Sequence, residues 1–313
     1  LYNEKPETDT SNFKTVLYIG NGATQYISNV GMDLETSGAL VWVKNRSATG
    51  NHSLIDSVRG VSKPINSNAN NQEQNYPNFT LTSFEKNGFF VTDNSDGLYG
   101  FNGPPGSTYG GTTGGYVGWV WKGGGAAVTN TNGANITSSV SANTAAGFSI
   151  VTYTGTGNGN VTSDTVGHGL SSTPDIVIIK RRNGNDNWQI QANIDGTYKS
   201  GGFSTGAFSV ASPTPVADPT STVFNPFFSN TTGTYVAYCF HSVSGYSKIG
   251  TYDGTGSSVN NRIYTTDDGS STGSNGFKPS WILIKNADSS YGWGIIDNRR
   301  LASDGDVRTL FAN

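Results

Sequence analysis

Charged side chains are scarce in this sequence: Asp, Glu, Lys and Arg together make up 13% of the residues, about half of the usual share. The formal net charge is −3 and basic residues form no run, which excludes a nucleic-acid-binding protein that works by neutralising phosphates. No apolar run reaches the roughly 18 residues of a membrane-spanning helix. We therefore expect neither nucleic-acid binding nor membrane insertion.

Cysteine and glutamate are also rare. Cys239 is the one cysteine, so an intrachain disulfide is excluded. The five glutamates all lie within the first 85 residues and outside the repeated strands described below, which leaves a glycan hydrolase without its acidic pair. We expect a protein that is not an enzyme and that needs no cofactor and no metal.

Glycine, asparagine, threonine and serine take the place of charge. Threonine suits the pleat of a strand, and Gly and Asn accept the positive φ of tight turns, whereas Ser, Thr, Asn and Gly are poor in helices. The 42 glycines, together with short alternating apolar segments, predict an all-β fold with almost no helix. The best helical candidate is a turn or two at Asp56–Gly60.

One strand pattern occurs three times. A short alternating segment ends in Tyr-x-Gly-x-Gly, and a nearly continuous apolar segment that ends in lysine follows it. Alternation predicts a half-buried strand ended by the glycines, and a continuous apolar run predicts a strand covered on both faces. The aligned positions are Tyr18 and Lys44, Tyr153 and Lys180, and Tyr252 and Lys285.

Further strands follow in the same order after each lysine. A third strand is expected in all copies, and a fourth and a fifth in the first two copies only. The expected third strands are Ser53–Asp56, Trp188–Gln191 and Trp293–Asp297, the fourth are Gly88–Val91 and Ala207–Val210, and the fifth are Tyr116–Lys122 and Tyr235–His241.

The repeats predict tandem β-sandwich modules of a jelly-roll or lectin-like type. We expect a first module at residues 1–125, a linker or inter-module stretch at 126–147, a second module at 148–245 and a partial third module at 246–313.

At these motifs the sequence resembles a repeated domain of unknown function found in predicted structural proteins of marine tailed bacteriophages. The resemblance implies a fibre or decoration component of the virion and brings no catalytic residues with it. The first copy departs from the family pattern, because Met32-Asp33 stands near the place of His-Gly-Leu. The segments that carry the resemblance are Tyr153–Gly157, His168–Leu170, Pro174–Lys180, Trp188 and Tyr235–Phe240.

Three polar residues could suggest chemistry. Cys239 and His241 lie two apart on one predicted strand, the spacing of a thiol–imidazole pair. The first copy has Val120 and Lys122 there, so a core strand that ends in a polar residue is the better interpretation. His168 has no second His or Cys beside it, and we expect it to make a loop hydrogen bond rather than to bind a metal.

Acidic residues recur in two kinds of pattern. Asp56–Arg59 and Asp297–Arg300 follow the third strand in two of the copies, which favours a structural ion pair or a capped turn over a catalytic carboxylate. Asp93–Gly97 and Asp304–Asp306 faintly resemble calcium loops but lack the later bidentate Glu. Turn formation accounts for both of these segments.

Aromatic residues in loops are the candidates for a ligand or subunit surface, as in a lectin. Tryptophans at repeated strand positions are expected in the core instead. The candidate surface residues are Tyr76, Tyr99, Phe101, Tyr109 and Tyr291.

These observations favour a non-enzymatic bacteriophage virion protein, a tail fibre or a capsid-surface decoration, on the outside of the phage particle. The alternative is a carbohydrate- or receptor-binding adhesin module. Expected partners are other virion proteins, a host-surface glycan or receptor, and further copies of the chain, with a trimer favoured. Low charge and the polar stretches Asn66–Asn75 and Gly103–Gly115 motivate the homo-oligomer.

Overall fold

The computed structural model describes residues 12–93, 100–108, 110–159, 161–210, 217–256, 262–300 and 309–313. It is nearly all β, with 37% strand and 3% helix, as the composition predicted. The strands are β1 (Phe13–Ile19), β2 (Gln25–Ile27), β3 (Ala39–Asn45), β4 (His52–Asp56), β5 (Ile65–Asn66), β6 (Leu81–Glu85), β7 (Gly88–Val91), β8 (Gly115–Lys122), β9 (Val128–Asn130), β10 (Asn135–Ile136), β11 (Ser138–Asn143), β12 (Phe148–Thr154), β13 (Thr165–Gly167), β14 (Ile176–Arg181), β15 (Gln189–Ile194), β16 (Thr197–Gly201), β17 (Val223–Phe224), β18 (Thr234–Phe240), β19 (Trp281–Ile284), β20 (Gly294–Asp297) and β21 (Leu310–Phe311).

Helix is limited, in the described residues, to α1 (Leu34–Ser37) and to 3-10 turns at Thr144–Ala146 and Phe227–Ser229. The Asp33 carboxylate caps α1 by accepting a hydrogen bond from the backbone N–H of Thr36 at 3.1 Å. The candidate segment Asp56–Gly60 forms a turn rather than a helix.

Five strands form sheet I, in the order β1-β8-β3-β4-β5. β8 is antiparallel to both of its neighbours, and its Tyr116 lies opposite Tyr18 of β1 and Asn45 of β3. A smaller sheet, β2-β7-β6, is called the cover of sheet I below.

Seven strands form sheet II, in the order β16-β15-β14-β18-β12-β11-β9. Its strands β12, β18, β14, β15 and β16 repeat the order of sheet I, with Tyr235 of β18 opposite Tyr153 and Arg181. The cover of sheet II is β10-β13-β17.

The expected linker at 126–147 supplies β9 and β11 to sheet II and β10 to its cover. β11 pairs with β12 from Ser138 opposite Tyr153 to Asn143 opposite Phe148, and β9 pairs with β11. Its strands are rich in Ser, Thr and Asn and carry few apolar residues, which is why its sequence looked like a linker.

Three strands form sheet III, in the order β19-β20-β21. They correspond to β3, β4 and β5 of sheet I, because Leu283 lies opposite Ile295 as Trp42 lies opposite Leu54. Among the described residues, sheet III has no counterpart of β1 or β8.

Each large sheet buries both of its faces. One face of sheet I packs against its cover, with Val41 and Phe89 in the same cluster, and one face of sheet II packs against its own cover. The other faces of sheets I, II and III meet in one shared core that holds Trp119, Tyr238 and Trp293. This double burial explains the continuous apolar run of β3, in which all seven residues are buried.

Two expected strands do not form. Residues 246–252, the third copy of the first strand, are turn and irregular structure apart from an isolated bridge between Ser247 and Val243. Residues 207–210 make one isolated bridge, Ser200 to Ser209. In sheet I the counterpart of 246–252 is β1, which pairs with β8, and sheet III offers no such strand in the described residues.

Candidate functional site

The Asp56–Arg59 pair closes the turn after β4. Arg59 Nε lies 2.5 Å from Asp56 Oδ2, and both side chains are fully buried. The other carboxylate oxygen accepts the backbone N–H groups of Val58 and Arg59 at 3.0 and 2.8 Å, and Arg59 Nη2 donates to the Leu54 carbonyl at 3.0 Å. This is the structural ion pair and capped turn that the sequence predicted.

Sheet III repeats the arrangement after β20. Arg300 Nε lies 2.5 Å from Asp297 Oδ2, with side-chain exposures of 3% and 0%. The Arg300 guanidinium also donates to the Ile295 carbonyl at 3.2 Å. The two pairs therefore use the same atoms in the same way.

Each carboxylate also receives a hydrogen bond from a different sheet. The Tyr238 hydroxyl of sheet II donates to Asp56 Oδ2 at 2.8 Å, and the Trp119 indole N–H of sheet I donates to Asp297 Oδ2 at 3.0 Å. Arg300 lies over the Trp119 ring at 5.6 Å from its centroid, within the range of a cation–π contact. Tyr238 and Trp119 hold equivalent places in β18 and β8, so the repeat extends to the contacts between the sheets.

Two tryptophans make a second repeated contact between sheets. The indole N–H of Trp188 donates to the Asn66 carbonyl at 2.8 Å, and that of Trp293 donates to the Gly202 carbonyl at 2.8 Å. The corresponding residue of sheet I is His52, which is 5% exposed. Burial, together with the nearby charges of Lys44 and Arg300, lowers the pKa of His52 to about 3, so its ring is neutral at pH 7.

The three aligned lysines bind backbone carbonyl groups. Lys44 Nζ donates to Asn45 O at 2.7 Å, Lys180 Nζ to Arg181 O at 3.1 Å and Lys285 Nζ to Asn286 O at 2.6 Å. Burial lowers the pKa of Lys44 and of Lys180 to about 8.

Two of these lysines also reach a loop that follows a strand of another sheet. Lys180 Nζ donates to Asn70 O at 3.2 Å, and Lys285 Nζ to Thr205 O at 3.4 Å. The lysines therefore fasten loops to the ends of the strands.

The Tyr-x-Gly-x-Gly motif forms a tight turn that an asparagine holds. In sheet II, Asn230 accepts the N–H of Thr156 on its side chain at 3.0 Å and that of Gly157 on its carbonyl at 3.0 Å. A Cβ on Gly155 would lie 2.3 Å from the Thr231 carbonyl oxygen, and Gly157 has a φ of 88°, so both glycines are required.

Sheet I has the same turn. Asn102 accepts the N–H of Asn21 on its side chain at 3.2 Å and that of Gly22 on its carbonyl at 2.7 Å. The sequence interpretation missed Asn102 and Asn230. Their distances to the central strand gave no signal, because Asn102 lies well before β8 whereas Asn230 lies only a few residues before β18.

The third copy of this motif is less enclosed. A Cβ on Gly254 or on Gly256 would meet no atom within 4 Å, and Tyr252 is 46% exposed. Tyr18 and Tyr153 instead stack on Tyr116 and Tyr235, each with ring centroids 5.1 Å apart.

A buried carboxylate, Asp164, organises the loops at this end of sheet II. It accepts hydrogen bonds from Thr156 at 2.5 Å, Asn230 at 2.8 Å and Asn135 at 2.9 Å. The bond from Thr156 and those from the asparagine side chains lower the pKa of Asp164 to about 2. Asp164 was not singled out from the sequence, since its partners come from distant parts of the chain.

The residues that suggested nucleophilic or metal chemistry are engaged structurally. Burial raises the pKa of the Cys239 thiol to about 12, and His241 Nδ1 lies 2.8 Å from the Ser242 carbonyl. His168 Nδ1 accepts the N–H of Leu170 at 3.1 Å, so its Nε2 donates to the Thr220 carbonyl at 3.1 Å. This is the loop role expected of His168.

No group of three or more His, Cys, Asp or Glu residues is placed to hold a metal within the described part of the chain. Most of Asp93–Gly97 and all of Asp304–Asp306 lie outside the described residues. No described helix has the length and apolarity needed to cross a membrane.

The five loop aromatics differ in their exposure. Phe101 is fully buried in the core between sheet I and its cover, so its assignment to a binding surface is wrong. Tyr76 is half-buried and donates to Gln74 Oε1 at 2.9 Å, whereas Tyr291 is 65% exposed. Tyr99 and Tyr109 lie outside the described residues.

A polar concavity of about 300 Å³ opens at one end of sheet II. Its charged residues, Arg181 and Asp186, form a partly exposed ion pair of 3.1 Å. Tyr235, its one aromatic residue, is stacked on Tyr153 and offers no free ring face to a sugar. The concavity is lined by Arg181, Asp186, Asn187, Gln189, Ser229 and Tyr235.

A family model described as a domain of unknown function (DUF7483) matches residues 8–312. One match thus covers all three sheets. No curated protein and no solved structure matches the chain.

Proposed function

The chain belongs to the DUF7483 family, and we propose that it is a non-enzymatic structural protein of a bacteriophage virion, a tail fibre or a decoration of the capsid surface. The observation that carries this proposal is the use of the buried Asp56–Arg59 and Asp297–Arg300 pairs. Each pair closes a turn and accepts a hydrogen bond from another sheet. We propose that these pairs specify how the parts of this chain fit together.

The arrangement suits a particle component. We propose that sheets I and II form β-sandwiches with their covers, and that the shared core fuses them with sheet III into one stiff unit. Burial on both faces of the large sheets, with Trp119, Tyr238 and Trp293 at the centre, supports this. A stiff unit can carry load or space other proteins on a virion.

The chemistry of the remaining groups is consistent with a protein that does not turn over a substrate. A thiol with a pKa of about 12 is protonated at pH 7, and it is the thiolate that acts as nucleophile. Asp164 is saturated with donors, so it is a poor general base.

Partners remain proposals as well: other virion proteins, a host-surface glycan or receptor, and further copies of the chain as a trimer. The stretch Asn66–Asn75 packs on sheet II of its own chain, where Glu73 binds Arg182 at 2.9 Å. This stretch therefore packs within its own chain and does not support a second copy. The homo-oligomer is proposed on the low charge, the polar stretch Gly103–Gly115 and the partial third module.

Location on the particle is the direct test. Antibodies raised against the purified chain should label intact particles of the phage that encodes it, and its peptides should persist in particles purified away from lysate. A known capsid protein serves as the positive control and a replication protein as the negative one. Absence from purified particles would contradict the proposal.

A glycan array tests the adhesin alternative. Saturable binding of one glycan that is lost in Tyr291→Ala and kept in Tyr252→Ala would favour an adhesin. Both tyrosines are exposed, at 65% and 46%, and only Tyr291 belongs to the candidate binding surface.

A further inference from the structure

The concavity of sheet II lies at a place where sheets I and II can be aligned residue by residue. The backbone N–H of Arg182 donates to the Thr234 carbonyl at 2.7 Å, as that of Arg46 donates to the Gly115 carbonyl at 2.7 Å. What occupies this end of sheet I can therefore be compared with what leaves it open in sheet II.

In sheet I the equivalent place is filled by the chain itself. Phe101, whose carbonyl accepts the Tyr18 hydroxyl at 2.7 Å, is fully buried. The long segment between Phe101 and β8 returns over the loop after β3, where Ser47 Oγ donates to the Gly110 carbonyl at 2.8 Å. A Cβ on Gly111 would lie 2.2 Å from the Ser47 carbonyl oxygen, so the two segments are in close contact.

Sheet II has a small residue and a short segment at this place. Ser229 corresponds to Phe101, because its carbonyl accepts the Tyr153 hydroxyl at 3.0 Å. Only a few residues separate Ser229 from β18, too few to return over the loop after β14. A concavity of about 300 Å³ remains, a volume at the lower end of the range for small-molecule sites.

Arg181 and Asp186 form one wall of the concavity, and the backbone holds the guanidinium in place. Arg181 Nη1 donates to Asp186 Oδ2 at 3.1 Å, and Nη2 donates to the Thr232 carbonyl at 3.3 Å. A Cβ on Gly184 or on Gly233 would lie 2.7 or 2.8 Å from Arg181 Nε, so glycine lets the backbone close around this group. The two opposite charges balance each other, which disfavours an ion as the ligand.

The other polar groups of the lining are able to bind a ligand. Asp186 Oδ1 and the side-chain amides of Asn187 and Gln189 have no hydrogen-bond partner in the part of the chain that the structure describes, and Ser229 adds its hydroxyl. A carboxylate accepts hydrogen bonds, whereas an amide or a hydroxyl both donates and accepts. Neighbouring hydroxyl groups on a sugar ring offer the matching donors and acceptors.

We propose that the concavity of sheet II binds one ring of an uncharged saccharide through the hydroxyl groups of that ring, with Asp186, Asn187 and Gln189 as the binding residues. The sugar does not stack on an aromatic ring, because Tyr235 is already stacked on Tyr153. The inference rests on the adhesin alternative given above, to which it adds a site, and it holds wherever the chain lies on a particle.

Ligand-observed NMR on the purified whole chain is the test. The probes are the methyl glycosides of glucose, galactose, mannose, rhamnose and N-acetylglucosamine. Hydrogen bonds alone give weak binding, so at least one probe should titrate to a Kd on the order of 1 mM. Sodium acetate and sodium phosphate serve as ionic probes and should not displace the sugar.

Variants of the lining locate the bound sugar. Asp186→Ala should raise the Kd about tenfold, because hydrogen bonds to a charged acceptor are the stronger ones, and Gln189→Ala should raise it about fivefold. Ser229→Phe, which introduces the residue of sheet I, should abolish binding. Thermal unfolding of each variant shows that a loss of binding is not a loss of the fold.

A matched control comes from sheet I. Asn187 lies two residues before Gln189, the strand partner of Ile179, and Asn51 lies two residues before Ser53, the strand partner of Val43. Asn187→Ala should raise the Kd about fivefold, whereas Asn51→Ala, beside the filled place, should leave it unchanged.

The proposal is wrong if none of the glycosides binds saturably, or if Asn187→Ala and Asn51→Ala change the Kd equally. Displacement of the sugar by acetate or phosphate would also overturn it, since the site would then recognise charge. Binding that is lost in Tyr291→Ala and kept in Asp186→Ala would refute the concavity as the site and leave the adhesin alternative standing. Antibody labelling of particles tests the virion location separately from all of these results.

Discussion

In the described residues, sheets I and II each have five or more strands and a cover, whereas sheet III has three strands and no cover. All three have the hairpin and third strand that face the shared core, and the Asp–Arg pair of sheet III is as buried as that of sheet I. Sheets I and II add a central strand, an outer strand and a cover. The described part of sheet III has none of these, and Ile282, whose counterpart Val41 packs against a cover, is 40% exposed.

The difference shows that the inner part of each sheet can form without the outer part. Sheet III contacts the rest of the chain from Asp297 to Trp119 of β8 and from Trp293 to Gly202, and Trp119 and Trp293 both lie in the shared core. We infer that the shared core, rather than the covers, holds the three sheets together.

Removal of one buried carboxylate should have the largest effect on the free energy of unfolding. The effect should be similar for the pair in sheet I and the pair in sheet III. Asp56→Ala removes the carboxylate that pairs with the buried guanidinium of Arg59. We expect this substitution to lower the free energy of unfolding by about 3–5 kcal/mol. Asp297→Ala should cost a similar amount if sheet III folds together with the rest. Asp186→Ala, which breaks the exposed pair with Arg181, should cost at most about 1 kcal/mol.

Chemical denaturation of the three variants checks this prediction. A small loss in Asp297→Ala, with a separate early transition, would show that sheet III unfolds on its own and that the shared core does not bind it tightly.

Replacement of a turn glycine by alanine should lower the stability of the protein in the turn of sheet II but not in the third copy of the turn. In Gly155→Ala the new Cβ would lie 2.3 Å from the Thr231 carbonyl oxygen, so we expect a loss of about 1–3 kcal/mol. In Gly254→Ala the Cβ meets no atom within 4 Å, and the change should stay within about 0.5 kcal/mol. Thermal unfolding measures both, and equal effects would mean that the third turn is as enclosed as the second.

A fall in pH should destabilise sheet I through protonation of His52. Sheets II and III have Trp188 and Trp293 at the same position, and these side chains do not titrate. Burial lowers its pKa to about 3, against about 6.5 in the unfolded chain. Between these values the unfolded state binds a proton that the folded state does not. The stability that neutral His52 contributes is therefore complete above pH 6.5 and is lost as the pH falls toward 3.

The measurement is the free energy of unfolding at pH 7.5 and pH 5. The wild-type chain should lose about 2 kcal/mol more over this interval than His52→Gln. His168, whose pKa is also lowered by burial, acts in both proteins and cancels in the difference. An equal loss of free energy of unfolding in the two proteins would show that protonation of His52 does not destabilise the folded chain.

Loss of a tyrosine hydroxyl should give the smallest effect. The Tyr153 hydroxyl donates to the Ser229 carbonyl at 3.0 Å, and Tyr153→Phe leaves that carbonyl without this bond, at a cost of about 1 kcal/mol. Tyr252→Phe, in the open turn, should leave the melting temperature unchanged. A matching loss in Tyr252→Phe would mean that its ring already has a partner.

Strands with a clear apolar pattern were predictable from the sequence. β3, β14 and β19, with their terminal lysines, follow from local composition, as does the Asp–Arg turn. Segment 126–147 was missed because β11 is built of Ser, Ala, Val and Asn, so its pairing with β12 depends on its position beside that strand. Phe101 was placed on the surface because its loop is rich in glycine and proline, although tertiary packing buries it.

The expected strand at 246–252, which does not form, shows most clearly the limit of prediction from local sequence patterns. Its sequence resembles β1 and β12, yet a strand needs a neighbour to satisfy its backbone groups, and here none is present in the described residues. Asn102 and Asn230 were missed for a related reason, because the turns they hold lie 81 and 74 residues away.

The sequence by itself determined the β class, the order of the repeated strands and the residues that end them, because alternation, glycine turns and ion pairs three residues apart are local properties. Only the tertiary structure decided which repeat is complete, which aromatic residues are buried, and that Tyr238 and Trp119 reach carboxylates in other sheets. Those features depend on contacts between residues nearly 180 positions or more apart, and no local pattern specifies them.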